Sequence, residues 1–393
     1  MDFALTEEQI SFRKLFRDFV AKEVAKVAKH IDETEEPPID LLNKAAQQGF
    51  FAAMIPEDLG GAALDPLSYT LLIEELAKAC MSTAVTIATH NSLVVYPIVT
   101  RGNDAQKENW LSVLAENAGA LALNEPDAGS DTSRLSTRAT PSGPPAQSAG
   151  HGQKNGDGYI LNGVKTWVTN AGIAKLMLVI AQAEGGPTAF VIDPATPGVK
   201  IGHREPTTGL RGVTFHTVYF DAVGATEADR LGNEGEGLSL LQTALSHFQL
   251  AVAAAALGLD EHAVAQGRAF AIERKQFGVS IATKQGLGNY FADAEINAEV
   301  LRHQIEYAAW LYEQGKDFAA AALKAKLFGA HAARETANHM LQVHGGYGFS
   351  DEYTISQLYR DARALDLLGG TPQVGRIAVW QEVFADSGVV IKP

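Results

Sequence analysis

Cysteine is nearly absent from this sequence, which has Cys80 alone among 393 residues. No intramolecular disulfide can form, so a reducing compartment, the cytoplasm, is expected. Cys80 lies in the helical pattern ELAKACMS with no basic residue on either side. It is either a small core residue or a reactive thiol, and the missing basic neighbour favours the core.

Basic residues are also scarce, because 32 Lys and Arg stand against 46 Asp and Glu and give a net charge of -14. This balance excludes the broad basic surface that non-specific nucleic-acid binding requires, so an anionic ligand must meet local cations. The sequence has no run of 18 apolar residues, and its start, MDFALTEEQI, lacks the features of a secretory signal. We therefore expect no membrane insertion. The eleven histidines lack metal-ligand spacing, so no metal site is expected.

Hydrophobic periodicity divides the chain into three parts. Residues 1–118 have apolar positions at three- and four-residue spacings, as in TEEQISFRKLFRDF behind the N-cap Thr6, and predict an N-terminal helical domain. Residues 119–232 switch to a period of two between Gly, Pro and Asp turns and predict an antiparallel β-barrel or sandwich. Residues 233–393 return to the helical period and predict a C-terminal four-helix bundle. The predicted fold class is α+β.

Two glycine-rich stretches interrupt this pattern. Residues 140–158 are rich in Pro, Gly and Ser and predict a surface loop between strands, to which we assign no function. The stretch LGNEGEG, with Gly232, Gly235 and Gly237, follows a strand and precedes a helix, as a dinucleotide-binding loop does. No second βαβ unit with a ribose-binding acid accompanies it, so a domain-junction loop is favoured.

Two motifs in the β region have residues that suit a ligand. In LNEPDAGSD, Leu123 to Asp131, a turn of small residues offers free N–H groups and a hydroxyl to a phosphate or polar cofactor edge. The same features suit any tight loop. In VKTWVTNAG, strand alternation puts Trp167 and Thr169 on one face and Val164, Thr166 and Val168 on the other. Trp167 is either part of a cofactor surface or an ordinary core tryptophan.

Several motifs in register resemble the acyl-CoA dehydrogenase family of flavoproteins, and the resemblance covers nearly the whole chain. They are PEDLGGAALD, LNEPDAGSD, LNGVKTWVTNAG, FDAVGATEADRLGNEGEG, AIERKQFG, LQVHGGYGFSDEY, and YRDAR with GGTPQ. The resemblance implies FAD as cofactor, an acyl-CoA or acyl-carrier thioester as substrate, a homotetramer, and an electron-transfer flavoprotein as a further partner. The sequence departs from the family in the extended 140–158 loop and at the catalytic positions.

By that resemblance, FAD would contact residues of the β domain and, from a neighbouring subunit, residues of the C-terminal helices. The expected set is Leu121, Leu123, Asn124, Gly129, Ser130, Trp167, Thr169, Arg274, Phe277, Gln342, Gly345, Gly346, Thr371 and Gln373. Asn124 stands where the family usually has Thr, which still permits a hydrogen bond. Arg274 would supply the local cation, although it could also be a solvated charge at a helix end. Substrate would meet Ser130, Phe248 and Gln249.

The catalytic carboxylate of the family is missing. It is usually a Glu directly before Gly-Thr, and here that position is Gly369 in the stretch LLGGTPQ. In some branches an acid on a C-terminal helix, directly before an Arg, takes its place, and here those positions are Phe248 and Gln249. The N–H of Gly369 could still polarise a thioester carbonyl. Asp366 and His90 are the candidate replacement bases, although a polar pocket wall is the stronger interpretation of His90.

Three functions therefore remain open. The first is a FAD-dependent oxidoreductase that desaturates a thioester with an unconventional base. The second is a non-redox CoA-thioester lyase or desulfinase on the same scaffold, although MSTAVTIATHNS lacks the pocket Arg that such desulfinases use. The third is a catalytically silent flavoprotein subunit.

Overall fold

The computed structural model describes residues 3–142 and 158–387. Within these ranges helices occupy the chain up to Glu116, strands begin at Gly119, and helices resume at Gly237. The predicted order of helical, β and helical regions is confirmed. Most of the predicted loop at 140–158, namely residues 143–157, lies outside the described residues.

The N-terminal region consists of described helices that begin at recognisable caps. The Thr6 hydroxyl accepts a hydrogen bond from the N–H of Gln9, whose side chain accepts one from the N–H of Thr6, and this reciprocal cap starts the first helix. The helices are α1 (Glu7–Phe19), α2 (Ala25–Thr34), α3 (Ile39–Gln47), α4 (Pro66–Ala77), α5 (Met81–His90), α6 (Tyr96–Arg101) and α7 (Asp104–Glu116), with π-helical segments at Val20–Val24 and Asn91–Val95. Every residue of α5 is buried.

The central region is one sheet with strand order β6-β7-β3-β2-β4-β5-β8 and with β1 beside β4. The strands are β1 (Gly119–Ala122), β2 (Arg138–Pro141), β3 (Gly158–Thr169), β4 (Leu176–Ala183), β5 (Gly186–Ile192), β6 (Val199–Arg204), β7 (Phe215–Thr226) and β8 (Arg230–Leu231). Both β1 and β2 run parallel to β4, so the sheet is mixed rather than purely antiparallel. The near-continuous apolar run of β4 fits a strand that is covered on both faces.

The C-terminal region packs three long helices and a shorter one around a common apolar core. Its elements are α8 (Gly237–Glu273), α9 (Gln285–Glu313), α10 (Ala319–His344), α11 (Thr354–Leu365) and α12 (Pro372–Val383), with a small hairpin of β9 (Lys275–Gln276) and β10 (Val279–Ser280). Helices α9, α10 and α11 contact α8, and α12 packs on α10. By length and composition α8 could cross a membrane, but 83% of its apolar window is buried, as in a core helix.

Helix α11 joins the three regions through the YRDAR motif. The Arg360 guanidinium pairs with the carboxylate of Asp32 on α2 and donates to the Thr208 carbonyl at 3.1 Å. Asp361, which is buried, accepts the Leu210 N–H at 2.6 Å. This hydrogen bond holds Leu210 at φ +54°, in the left-handed region. One helical turn of α11 therefore fixes the N-terminal helices and the β6–β7 loop on the C-terminal bundle.

Candidate functional site

The turn LNEPDAGSD is anchored from inside by Glu125. Its carboxylate accepts hydrogen bonds from the Ser136 N–H and hydroxyl, both at 2.6 Å, and from the Thr137 N–H at 3.0 Å. Glu125 is 4% exposed, whereas Gly129 and Ser130 lie on the surface. A Cβ built on Gly129 would meet no atom within 4 Å, so the space above the turn is open. The buried carboxylate thus holds a loop whose outer edge faces outward.

Lys165 of β3 completes this anchor. Its ammonium lies 2.7 Å from the Glu125 carboxylate and donates to the Leu123 carbonyl at 2.9 Å. Burial raises the pKa of Glu125, but the hydrogen bonds from Lys165 and Ser136 outweigh it and lower that pKa to about 2. The Thr166 N–H also donates to the Asn124 carbonyl at 2.8 Å. The two sequence motifs are therefore interlocked as one unit.

Trp167 is turned outward by a β-bulge. The pairing of β3 with β7 shifts register between Lys165 and Val168, and Trp167 has φ +55°. Its side chain is 53% exposed and contacts Phe215 edge-to-face, with 6.2 Å between the ring centres. Val168 is buried and Thr169 is partly buried. The alternative of a core tryptophan is wrong. An exposed indole beside the interlocked turn provides a flat apolar surface for a ring.

A second group of predicted residues surrounds a groove of about 440 Å³ at the end of α8 and α10. Arg274, Gly345, Gly346 and Tyr347 line it, and the Arg274 guanidinium lies 5.7 Å from the centre of the Tyr347 ring. Gln342 is on the surface next to it, with its carbonyl accepting the Gly345 N–H. This groove combines a cation with glycine backbone that has open space above it.

Phe277 stands beside this groove in the hairpin and is 93% exposed, at φ +54°. Within the described residues, no hydrogen bond or ring contact joins Arg274 or Phe277 to Trp167 or Thr169. The predicted cofactor residues therefore form two separate groups in one copy of the chain.

The stretch LLGGTPQ forms a loop held by its carbonyl groups. Gly369 and Gly370 have φ +67° and +99°, which glycine adopts without strain. The Gln249 side chain donates to the Gly369 carbonyl at 2.8 Å, and the Lys326 ammonium donates to the Gly370 carbonyl at 2.6 Å. In the described part of the chain, neither glycine N–H has an acceptor. Two main-chain donors are therefore left available in a fixed loop.

Phe248 and Gln249 of α8 lie directly against this loop. A Cβ built on Gly369 would lie 3.2 Å from the Gln249 Cγ and 3.5 Å from the Phe248 Cδ1. The two positions at which the family can have its carboxylate, here Gly369 and Phe248, are therefore adjacent in space, and neither of them is an acid. After the loop, the Thr371 hydroxyl accepts the Val374 N–H and caps α12, with Gln373 on the surface.

Neither candidate replacement base is free in this structure. The Asp366 carboxylate accepts from Arg334 at 2.7 Å and from Arg363 at 2.9 Å through the same oxygen. The fully buried His90 accepts the Gly119 N–H at Nδ1, so its Nε2 carries the proton that it donates to the Phe51 carbonyl. Burial lowers the pKa of His90 to about 4. The structure gives His90 a packing role.

Sequence reasoning missed the buried ions that hold the site. Lys165 and Lys326 have no exposed surface, and Glu125 is almost completely buried. A lysine inside a strand pattern and another inside the α10 pattern were visible signals, because lysine is rarely buried without a partner. Their partners could not be identified, since Glu125 is 40 residues from Lys165 and Gly370 is 44 residues from Lys326.

The two groups of residues fit the FAD that the sequence resemblance implies. The open turn at Gly129 and Ser130 and the exposed indole of Trp167, which belong to the same interlocked unit, suit a phosphate and an aromatic ring. The groove with Arg274 suits an anionic or adenine-bearing end, because it supplies a cation and uncovered glycine backbone. No set of three metal-ligating side chains gathers within the described ranges.

Comparison with known proteins gives a consistent result over the whole chain. The family models for the N-terminal, middle and C-terminal domains of acyl-CoA dehydrogenase match residues 6–118, 120–223 and 235–384. An acyl-CoA dehydrogenase of Bacillus subtilis (strain 168) is 35% identical over 382 residues, which cover 95% of this chain and 97% of the relative.

Solved structures agree with these matches. Butyryl-CoA dehydrogenase from Megasphaera elsdenii is 33% identical, with a TM-score of 0.92 over 98% of this chain and 100% of its own. A chain from the work on the electron transferring flavoprotein of Acidaminococcus fermentans is 33% identical, with a TM-score of 0.93 over 98% and 100%. The FAD complex of PigA is 25% identical, with a TM-score of 0.90 over 99% and 100%.

Proposed function

This chain belongs to the acyl-CoA dehydrogenase family, and on that premise we propose that it is a FAD-dependent oxidoreductase acting on a CH–CH bond of an acyl-CoA or acyl-carrier thioester. The observation that carries the proposal is the interlocked pair of motifs, in which Glu125 and Lys165 join the open turn of LNEPDAGSD to the strand that carries the exposed Trp167.

FAD would be held by two sets of residues. Leu121, Leu123, Asn124, Ser130, Trp167 and Thr169 form the first, and Arg274, Phe277, Gln342, Gly345 and Gly346 form the second. The bound cofactor supplies a hydride acceptor. The separation of the two sets in one copy supports an assembly in which a neighbouring subunit brings Arg274 and the 93% exposed Phe277 to the first set. By the family resemblance we propose that this assembly is a homotetramer.

The Gly369–Gly370 loop would bind the thioester carbonyl oxygen through its free N–H groups. Such a contact stabilises the enolate that develops when the α-proton leaves, so it acidifies that proton. No carboxylate stands at Gly369, Phe248 or Gln249 to take it, and the Asp366 carboxylate and the His90 ring already have partners. The chain therefore polarises the substrate without the family's usual base, and deprotonation should limit the rate.

A catalytically silent flavoprotein subunit is the second candidate, and the same engaged side chains favour it. The matched proteins reported above give no support to a lyase or desulfinase. An electron-transfer flavoprotein is a reasonable partner for an active enzyme, because one matched structure comes from the study of such a protein. The cytoplasm remains the proposed location.

One experiment separates these functions. The purified protein, reconstituted with FAD, is mixed anaerobically with CoA thioesters of increasing α-C–H acidity while flavin absorbance and product mass are recorded. We expect slow flavin bleaching with formation of the α,β-unsaturated thioester, faster for the more acidic substrates. Product without bleaching would indicate a lyase, and thioester binding with neither would indicate a silent subunit. Failure to take up FAD would contradict the proposal as a whole.

A further inference from the structure

Side chains from two helices hold the Gly369–Gly370 loop, and each of them donates hydrogen bonds to main-chain carbonyl groups. From α8, the Gln249 amide donates to the Gly369 carbonyl at 2.8 Å. From α10, the Lys326 ammonium donates to the Gly370 carbonyl at 2.6 Å and to the Asp366 carbonyl at 3.2 Å. Both side chains are buried, with Gln249 8% exposed and Lys326 fully enclosed. Neither bond requires any particular side chain at 369 or 370.

The carbonyl bonds determine the direction of the peptide groups. A peptide unit is planar, with its C=O and N–H on opposite sides, so fixing the carbonyl of one residue also fixes the N–H of the next. Gln249 thereby sets the plane that contains the Gly370 N–H. Lys326 sets the next plane through the Gly370 carbonyl and fixes the start of the loop through the Asp366 carbonyl. Two glycines would otherwise be the most mobile point of the loop.

We infer that Gln249 is a positioning residue for thioester binding, with Lys326 as a second clamp on the loop that carries the two glycine N–H groups. This inference rests on the proposed function and deepens it, because it identifies the side chains that hold the loop proposed to bind the thioester. Gln249 stands where some branches of the family have an Arg directly after their acid, and both side chains are hydrogen-bond donors. The contact of 3.2 Å between Gln249 Cγ and the Gly369 Cβ position shows that Gln249 also fills the adjacent space.

The test compares variants that differ in the donor. Gln249→Leu keeps the bulk and removes the donor, and Gln249→Arg keeps a donor. FAD-reconstituted proteins, with the flavin reduced beforehand by dithionite so that no hydride can be accepted, are titrated with butyryl-CoA carrying an isotope-labelled thioester carbonyl, and the carbonyl stretching frequency of the bound ligand is read by infrared difference spectroscopy. A polarised carbonyl has a lower frequency than the free thioester. This readout does not depend on turnover.

We expect a lowered frequency in the wild type, a return towards the free value in Gln249→Leu, and recovery in Gln249→Arg. Affinity for butyryl-CoA should fall about tenfold in Gln249→Leu, as expected for the loss of one positioned hydrogen bond. Lys326→Met should produce a smaller shift in the same direction. Gln249→Met also lacks the donor, and it replaces Gln249→Leu in this comparison if the leucine variant does not fold.

Two outcomes would overturn the inference, and they can be told apart. A lowered frequency that persists unchanged in Gln249→Leu would overturn the positioning role alone and leave the proposed function standing. A wild-type protein that binds butyryl-CoA with no lowering of the frequency would overturn thioester polarisation itself, and the proposed function with it. A lower melting temperature in Gln249→Leu with an unchanged frequency would assign Gln249 a purely structural role.

Discussion

The vacant base position can be tested by supplying the missing carboxylate through Gly369→Glu. The residue has φ +67°, where a side chain costs about 1 kcal/mol or more. Its Cβ would lie 3.2 Å from the Gln249 Cγ, so that side chain must shift by a few tenths of an ångström. We expect a total loss of about 1–3 kcal/mol in the free energy of unfolding. A positioned general base contributes about 10²- to 10⁴-fold to the rate.

This strain is present in both the ground state and the transition state of the folded enzyme, so it lowers stability without by itself lowering the rate. We therefore expect flavin reduction by butyryl-CoA to accelerate at least about tenfold in Gly369→Glu, measured by anaerobic stopped-flow absorbance. Gly369→Gln, with the same shape but no base, and Gly369→Ala, with the same backbone strain, are the controls. The reasoning is refuted if the Glu and Gln variants bind butyryl-CoA, retain FAD and reduce it equally slowly.

Three further changes test other parts of the site. Glu125→Gln leaves the Lys165 charge buried without its carboxylate, so it should lower the free energy of unfolding by about 3–5 kcal/mol, measured by chemical denaturation, and release FAD. Combining Glu125→Gln with Lys165→Met should recover most of the stability and most of the FAD binding. A double variant without this recovery would contradict the ion pair as the cause. Burial raises the pKa of Asp361 to about 7, so the native state binds a proton more readily than the unfolded chain and this group's contribution to stability declines as pH rises from about 4 to about 7. Asp361→Asn should flatten that part of the pH dependence of urea unfolding, and an unchanged slope would refute the assignment. Asp366→Asn should leave the rate of flavin reduction within about twofold, because the carboxylate already accepts from two arginines, and a large loss of rate would identify Asp366 as the base after all.

The fold could be predicted because its elements have strong local signals. The Thr6 cap and the change from helical to two-residue periodicity near Gly119 both depend on neighbours in the sequence. The parallel pairing of β1 with β4 could not be derived in the same way, since it joins residues more than 50 apart. Periodicity identifies a strand and the faces of its side chains, but it does not identify the neighbouring strand.

The site shows where pattern reasoning ends. Strand alternation placed Trp167 on a face of β3 but could not indicate that a bulge would expose it, because a bulge depends on the register with β7. His90 looked titratable, yet both of its ring nitrogens bond to backbone groups contributed by segments 29 and 39 residues away. The absence of a carboxylate at residue 369 could be read directly from the sequence. The hydrogen bonds from Gln249 and Lys326 to the loop could not, because they depend on how helices α8 and α10 pack.

The YRDAR helix turn has a consequence for recombining this protein with its relatives. Three family models divide the chain into apparent modules, yet Arg360 pairs with Asp32 and Asp361 accepts from Leu210, so the N-terminal and middle modules each bind one of two adjacent residues of α11. A chimera that exchanges the middle module alone would join a foreign loop to the native α11. Crossovers should therefore inherit these four positions from a single parent, and the unit that can be exchanged is the whole chain rather than any one of its modules.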